Sequence, residues 1–190
     1  MINAINAKIA IIKTVKPFLT NKALNQVGAN MVNSTILYAA PLWGTTTSSN
    51  IAKLQASQIK AARAINIKAW QRTKIKTHRQ ILLTTINWPN TKQIIESATL
   101  NILKKAINGK SSTDLNKAFI ISQPPNQRTG PAIRVNHRGK INKTNNTFTV
   151  QAPMLFNRLP IELRNPILTT EKFKNQLKTH ILKTNHLTMH

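Results

Sequence analysis

The run Asn50-Ile-Ala-Lys-Leu-Gln-Ala-Ser-Gln-Ile-Lys-Ala-Ala-Arg-Ala-Ile-Asn-Ile-Lys-Ala69 mixes apolar and basic residues with the period of an α-helix. At about 100° per residue, Ile51, Leu54, Ala61, Ala62, Ile65 and Ala69 fall on one face. Lys53, Lys60, Arg63 and Lys68 fall on the other. One side is suited to packing, and the other presents positive charge to solvent or to a phosphate backbone. The polar string Thr45-Thr-Thr-Ser-Ser-Asn50 ahead of it supplies an N-cap.

Upstream, residues 3–16 place Ile5, Ile9, Ile12 and Lys16 at helical spacing until Pro17 stops them. Residues 21–40 form a second apolar-rich segment, ending at Pro41-Leu42-Trp43-Gly44. Downstream, Trp70 to Arg79 is basic and irregular, with Arg72, Lys74, Lys76, His78 and Arg79 crowded together. A short apolar piece, Ile81–Ile86, precedes Trp88-Pro89. Asn90 with Gln93 then makes a capping box for a helix whose buried stripe is expected at Ile95, Ala98, Ile102 and Ala106. Asn108-Gly109 ends that helix.

The character changes after Ile121. Pro124-Pro125 and Gly130-Pro131 bracket an extended loop. Ala132–Val135 and Phe148–Gln151 read as short strands, with turn residues at Arg138-Gly139 and Asn145-Asn146. Pro153, Pro160 and Pro166 leave room only for short turns. A last helix, about 170–184, is expected to bury Phe173, Leu177 and Ile181. The fold class is therefore mainly α: a small helical bundle with a short β-hairpin and a C-terminal helix. Three segments follow from composition: a helical module over 1–122, a Pro/Gly-rich loop and hairpin over 123–152, and a C-terminal segment over 153–190.

Charge bounds the function. The chain has 190 residues, 28 Lys+Arg and 4 Asp+Glu, for a net charge of +24. The acids are Glu96, Asp114, Glu162 and Glu171, and thirteen Lys/Arg precede the first of them. Such a surface repels itself unless a polyanion screens it. Nucleic acid is the expected partner, ahead of an anionic membrane surface. Ile, Leu, Val and Phe supply 51 of the 190 residues, above the roughly 20% below which highly charged chains stay disordered. The absence of cysteine excludes disulfides and thiolate metal sites. The longest apolar stretch, Met31–Trp43, is interrupted by Asn33, Ser34 and Thr35 and falls short of a membrane span. Lys8, Lys13 and Lys16 among isoleucines superficially look like a transit peptide. The next eighty or so residues are just as free of acids, so that reading is set aside.

The same scarcity of carboxylates bears on catalysis. Two-metal phosphoryl chemistry needs clustered acids, and four scattered ones do not supply a pair. A Ser–His–Asp relay would have to rest on Asp114, with no nucleophile-elbow glycines. His186 and His190 have a metal-capable spacing but sit at a terminus expected to fray. Gly109-Lys110-Ser111 echoes the end of a phosphate-binding loop, yet position 104 is Lys where that loop needs Gly. Trp43 and Trp88 are expected in the core, with Trp70 left open between core and base stacking. The candidate nucleic-acid strip is Lys53, Lys60, Arg63, Lys68, Arg72, Lys74, Lys76 and Arg79. Lys104, Lys105, Lys110 and Lys117 make a charge-matched set for comparison.

Two stretches resemble a known family. Ile36-Leu-Tyr-Ala-Ala-Pro-Leu-Trp-Gly44, followed by Leu54-Gln-Ala-Ser-Gln-Ile-Lys-Ala-Ala-Arg63, resembles a block just after the palm, in the thumb region, of non-LTR (LINE-type, jockey-like) retrotransposon reverse transcriptases. That block reads roughly L-Y-G-x-P-x-W, then L-Q-x-x-Q-x-K-A-x-R. Phe148-Thr-Val-Gln-Ala-Pro-Met-Leu-Phe-Asn-Arg-Leu-Pro160, with Ile161-Glu-Leu-Arg164 and Phe173-Lys174, is similar to a segment near the C-terminal end of those polymerases. Order and spacing agree over nearly the whole chain. Ala39 stands where the family usually has Gly, Phe156 where it has Trp, and Arg158 where it has Ser.

The resemblance implies the thumb and C-terminal region of an RNA-directed DNA polymerase, truncated and read from an internal methionine. It would bind template–primer nucleic acid (RNA, DNA or hybrid) without sequence preference, as a partner of the missing palm and fingers. Chemistry, with its Mg²⁺, would belong to the palm's Asp-Asp turn, so this chain is expected to be no enzyme and to hold no metal or cofactor. The expected location is intracellular, nuclear or cytoplasmic, and neither membrane-bound nor secreted. A free-standing structural RNA-binding protein of ribosomal or nucleoid type, or a non-functional transposon relic, are the alternatives.

Overall fold

The structure, a computed structural model, describes residues 1–44, 46–66, 79–122, 131–135 and 147–187. Ten α-helices and one two-stranded antiparallel sheet account for most of them. The mainly-α reading with minor β is what is found. The chain divides into two compact units: Met1–Ile95 with Leu182–His190, and Glu96–Ile181. The composition-based segment limits at 122 and 152 differ from this division, which follows packing.

In the first unit, α1 (Ile2–Val15) buries Ile5, Ile9 and Ile12, the stripe that its spacing predicts. Pro17 lies in the 3₁₀ turn Lys16–Phe18 that follows. The Thr20 hydroxyl then accepts from Ala23 N–H and starts α2 (Asn21–Leu37), which buries Leu24, Gly28, Val32 and Ile36. A short α3 (Ala40–Trp43) leads to α4 (Ser48–Ile65), capped by Thr47 through Asn50 N–H. Helices α1, α2 and α4 pack on one another in pairs, and α5 (Arg79–Thr85) packs on α4. Ile81–Ile86 thus proves largely helical. Each fully buried Ile or Leu in this cluster contributes about 1.5–3 kcal/mol relative to exposure.

A hydrogen-bonded network closes the same core. Gln58, on α4, donates to Asn33 Oδ1 (2.9 Å) and to the Pro89 carbonyl (2.8 Å), and accepts from the Thr91 hydroxyl (3.1 Å). Trp88 Nε1 donates to Asn25 Oδ1 at 2.8 Å, and Asn25 donates to the Ile86 carbonyl. Trp88 arrives there through a tight helix end. Asn87 takes a left-handed φ of +57°, Asn87 N–H bonds to Thr84 O, and Trp88 N–H bonds to Leu83 O.

Helix α6 (Thr91–Ile107) carries the predicted capping box in full. Gln93 N–H donates to Asn90 Oδ1 at 3.0 Å, and Asn90 N–H donates to Gln93 Oε1 at 2.9 Å. Its buried face is broader than the predicted stripe. Ala98 and Ala106 are buried as expected, Ile95 and Ile102 are half-buried, and Ile94, Leu100, Leu103 and Lys104 are buried beside them. Two packing environments explain this: Ile94 belongs to one core cluster, Leu100, Leu103 and Ala106 to the other. Gly109, at φ +69°, ends the helix with Gly109 N–H on Ala106 O and Lys110 N–H on Lys105 O. The stretch Gly109-Lys110-Ser111 is a helix end, as expected.

The second unit corrects the hairpin. Phe148–Gln151 is not a strand but the first turn of α8 (Phe148–Asn157). The strand pair is β1 (Phe119–Ser122) with β2 (Ala132–Val135), Ile121 opposite Ile133. Alternation at Phe148, Val150 and Ala152 suggested a strand, but Phe148, Ala152 and Phe156 also repeat every four residues, and that period prevails. Pro153 sits inside α8 rather than at a turn. Being in the second turn, it forfeits one intrahelical bond, so burial of Ala152, Pro153 and Phe156 outweighs the loss. Asn157 stitches α8 to the sheet: its Oδ1 accepts from Ile133 N–H (2.9 Å) and its Nδ2 donates to Ile133 O (3.1 Å). The short α7 (Thr113–Lys117) and α9 (Ile161–Arg164) precede β1 and α10 (Thr170–Leu187) respectively. The last helix buries Phe173, Leu177 and Ile181, as read, and the Phe156 and Phe173 rings stack 6.5 Å apart.

Candidate nucleic-acid interface

Helix α4 separates its two faces as its period demands. Leu54, Gln58, Ile59, Ala61, Ala62 and Ile65 are buried, whereas Lys53 and Lys60 are exposed. Seven residues apart, these two lysines stand on one side of the helix about 10 Å from each other along its axis. Arg63, one turn after Lys60, is half-buried. Lys68, Arg72, Lys74 and Lys76 are outside the described residues, as are Ala69 and Trp70. For Arg79 only the backbone, at the start of α5, is described. Lys13, Lys22 and Lys92 are further exposed cations of the same unit.

The two glutamines in the family-like run Leu54–Arg63 have inward tasks. Gln58 serves the buried network, and Gln55 Oε1 accepts from Thr91 N–H at 2.8 Å. They tie the start of α6 to α4.

Cations themselves are used inside the fold. Lys16 Nζ donates to the Ala64 carbonyl at 2.6 Å, one of the orphan acceptors at the end of α4. Lys8 Nζ donates to the Met31 carbonyl (3.0 Å) and to the Thr35 hydroxyl. Lys104 goes furthest. It is 0% exposed, donates to Asn165 O (2.9 Å) and Pro166 O (3.2 Å), and lies 5.7 Å from the centre of the Phe173 ring. Burial pushes its pKa below the ordinary lysine value. Lys104 is therefore no member of an exposed comparison set. Its position, four after Leu100 and three before Ile107, put it on the apolar stripe, a signal the sequence did carry.

Of the tryptophans, Trp88 is 1% exposed and in the core, as expected. Trp43 is half-buried against that core, with Nε1 donating to Tyr38 O at 2.8 Å. That bond braces a turn in which Ala39 takes a left-handed φ of +51°. Gly44 follows in close quarters: a Cβ there would sit 2.5 Å from the Ala40 carbonyl oxygen. Tyr38, at 79% exposed, projects from this turn.

Among the described residues, no three His, Asp or Glu side chains gather where they would hold a metal ion. No helix among them is long and apolar enough to cross a membrane. No family model matches the chain, and neither a curated protein nor a solved structure matches it.

Proposed function

We propose that this chain grips nucleic acid through phosphate contacts, without reading sequence, as the thumb-side and C-terminal part of a LINE-type RNA-directed DNA polymerase. The observation that carries the binding half is the exposed Lys53–Lys60 face of α4, in a stretch of 95 residues that contains no Asp or Glu. Cations so placed have no acid nearby in sequence to neutralise them, and release of condensed counterions then supplies affinity. The polymerase half rests on the resemblance, and one feature of the backbone supports it. Ala39 adopts the left-handed conformation that favours glycine, at the position where the family usually has one.

The binding test is a salt series of Kd for duplex and RNA–DNA hybrid. Replacing Lys53 and Lys60 together by Ala is expected to weaken binding to all sequences alike. The log-salt slope should fall by roughly 0.7–0.9 for each phosphate that is no longer neutralised. Replacing Lys105 and Lys110, also exposed, removes the same charge. Equal reductions in the two variants would show that total charge, not this face, binds. On the polymerase side, the purified chain is expected to incorporate no nucleotide with Mg²⁺ or Mn²⁺, because the chemistry belongs to a palm. Template-dependent incorporation surviving stringent purification would overturn that.

A further inference from the structure

We infer that the first unit carries a second, separate contact for nucleic acid: a stacking platform for an unpaired base, built from Tyr38 and the groove beside it. This rests on the reading of the chain as a nucleic-acid binder, and names the form of strand that it would take. Three observations converge. The Tyr38 ring is 79% exposed, yet the residue is fixed by its backbone: Tyr38 N–H bonds to Ser34 O, and Tyr38 O accepts from Trp43 Nε1. The ring therefore projects from a fixed point of the backbone, and only its two side-chain torsions remain to be ordered when a partner covers it.

The second observation is the groove. Tyr38 borders an open groove of about 510 Å³, shared with Lys8 and Thr35. The Lys8 ammonium is pinned there by the Met31 carbonyl and the Thr35 hydroxyl. Of its three protons, two are used, and the third is available for a phosphate oxygen. Thirdly, the occupant's charge is set. The first 95 residues carry thirteen Lys/Arg and no acid. A protein surface laid over Tyr38 would meet that field unneutralised unless it were itself acidic. An unpaired nucleic-acid strand brings a flat π-face and a phosphate at every residue. Single-strand binders combine a basic groove with aromatic side chains in this way, and every base has a face to offer. A duplex keeps its bases stacked inside and has none for Tyr38.

Tyr38 is the only tyrosine in the chain, so ring-¹³C tyrosine labelling gives one reporter. Short oligo-adenylate should move its signal upfield through the base ring current, while heparin, a polyanion with no bases, should leave it in place. Tyr38→Ala should weaken oligo-adenylate binding roughly fivefold or more, leave duplex affinity unchanged, and be rescued by Tyr38→Phe. At 79% exposed the side chain supports no core, and unchanged circular dichroism checks that the variants fold. The platform is overturned if oligo-adenylate binds both wild type and Tyr38→Ala equally with the tyrosine signal unmoved. It is equally overturned if heparin moves the signal as far as oligo-adenylate does. Both outcomes leave the lysine-face grip standing. If neither duplex nor single strand binds at all, the functional reading itself falls and takes the platform with it.

Discussion

Among the described residues of the first unit, the fully buried polar side chains are Gln58 and Thr91, both neutral, and they answer each other and the Pro89 carbonyl. In the second unit the fully buried side chain with the largest polar demand is Lys104, which rests on two carbonyls and near an aromatic ring. Lysine is almost never fully buried unless paired, and the usual partner is a carboxylate. This chain has four. Lys8 and Lys16 show the same solution in milder form, half-buried with ammonium groups on carbonyls. A carbonyl partner satisfies the ammonium protons but leaves the positive charge uncancelled. Every lysine used this way still adds to the field that draws a polyanion.

The largest expected effect tests the second unit. Lys104→Ala removes a packed four-carbon stem and strands two acceptors, and should cost about 2–5 kcal/mol, as deletions of buried side chains of this size do. Lys104→Met keeps most of the stem and lifts the desolvation penalty, so it should cost less. If urea unfolding gives equal destabilisation for Ala and Met, the carbonyl bonds and not the packing hold this core. Next in size, Gln58→Leu in the first unit leaves the Asn33, Pro89 and Thr91 groups without their partner, a loss of about 1–3 kcal/mol. A neutral result there would mean that the network specifies geometry without adding stability.

The smallest effect is a pH dependence confined to one unit. The lowered pKa of Lys104 means that the folded chain gives up this proton at a lower pH than the unfolded chain. Its contribution to stability therefore rises as pH passes the folded value, and levels off above the ordinary 10.5 of the unfolded chain. The stability difference between wild type and Lys104→Met should climb with pH across that window. A difference that falls instead would show that the fold prefers the charged ammonium.

Much of the helical framework was legible in the sequence because its signals are local. The Ile5–Ile9–Ile12 stripe, the Asn90–Gln93 box, the Gly109 helix end and the Phe173–Leu177–Ile181 stripe each depend on residues within a few turns. The errors share a cause in interactions between residues distant along the chain. Phe148–Gln151 alternates like a strand, but Phe156 packs on Phe173 and the segment is helical. The true partner of Ala132–Val135 lies upstream, at Phe119–Ser122. Of the candidate strip, Lys53 and Lys60 could be placed from the helical period alone. For Lys104 the helical period points inward while its charge suggests exposure, and the carbonyls of Asn165 and Pro166, some sixty residues on, are what let the period prevail.

Asn157 has a further consequence, for behaviour at high concentration. The outward N–H and C=O of a strand at the rim of a small sheet are a template on which another chain can add itself, the first step towards fibrils and insoluble aggregates. At Ile133 both groups are already taken by the Asn157 side chain, which occupies them as a neighbouring strand would. One amide on a helix thus stands guard over that rim, and a change as slight as Asn157→Leu would open it to self-association while leaving the charge of the molecule untouched.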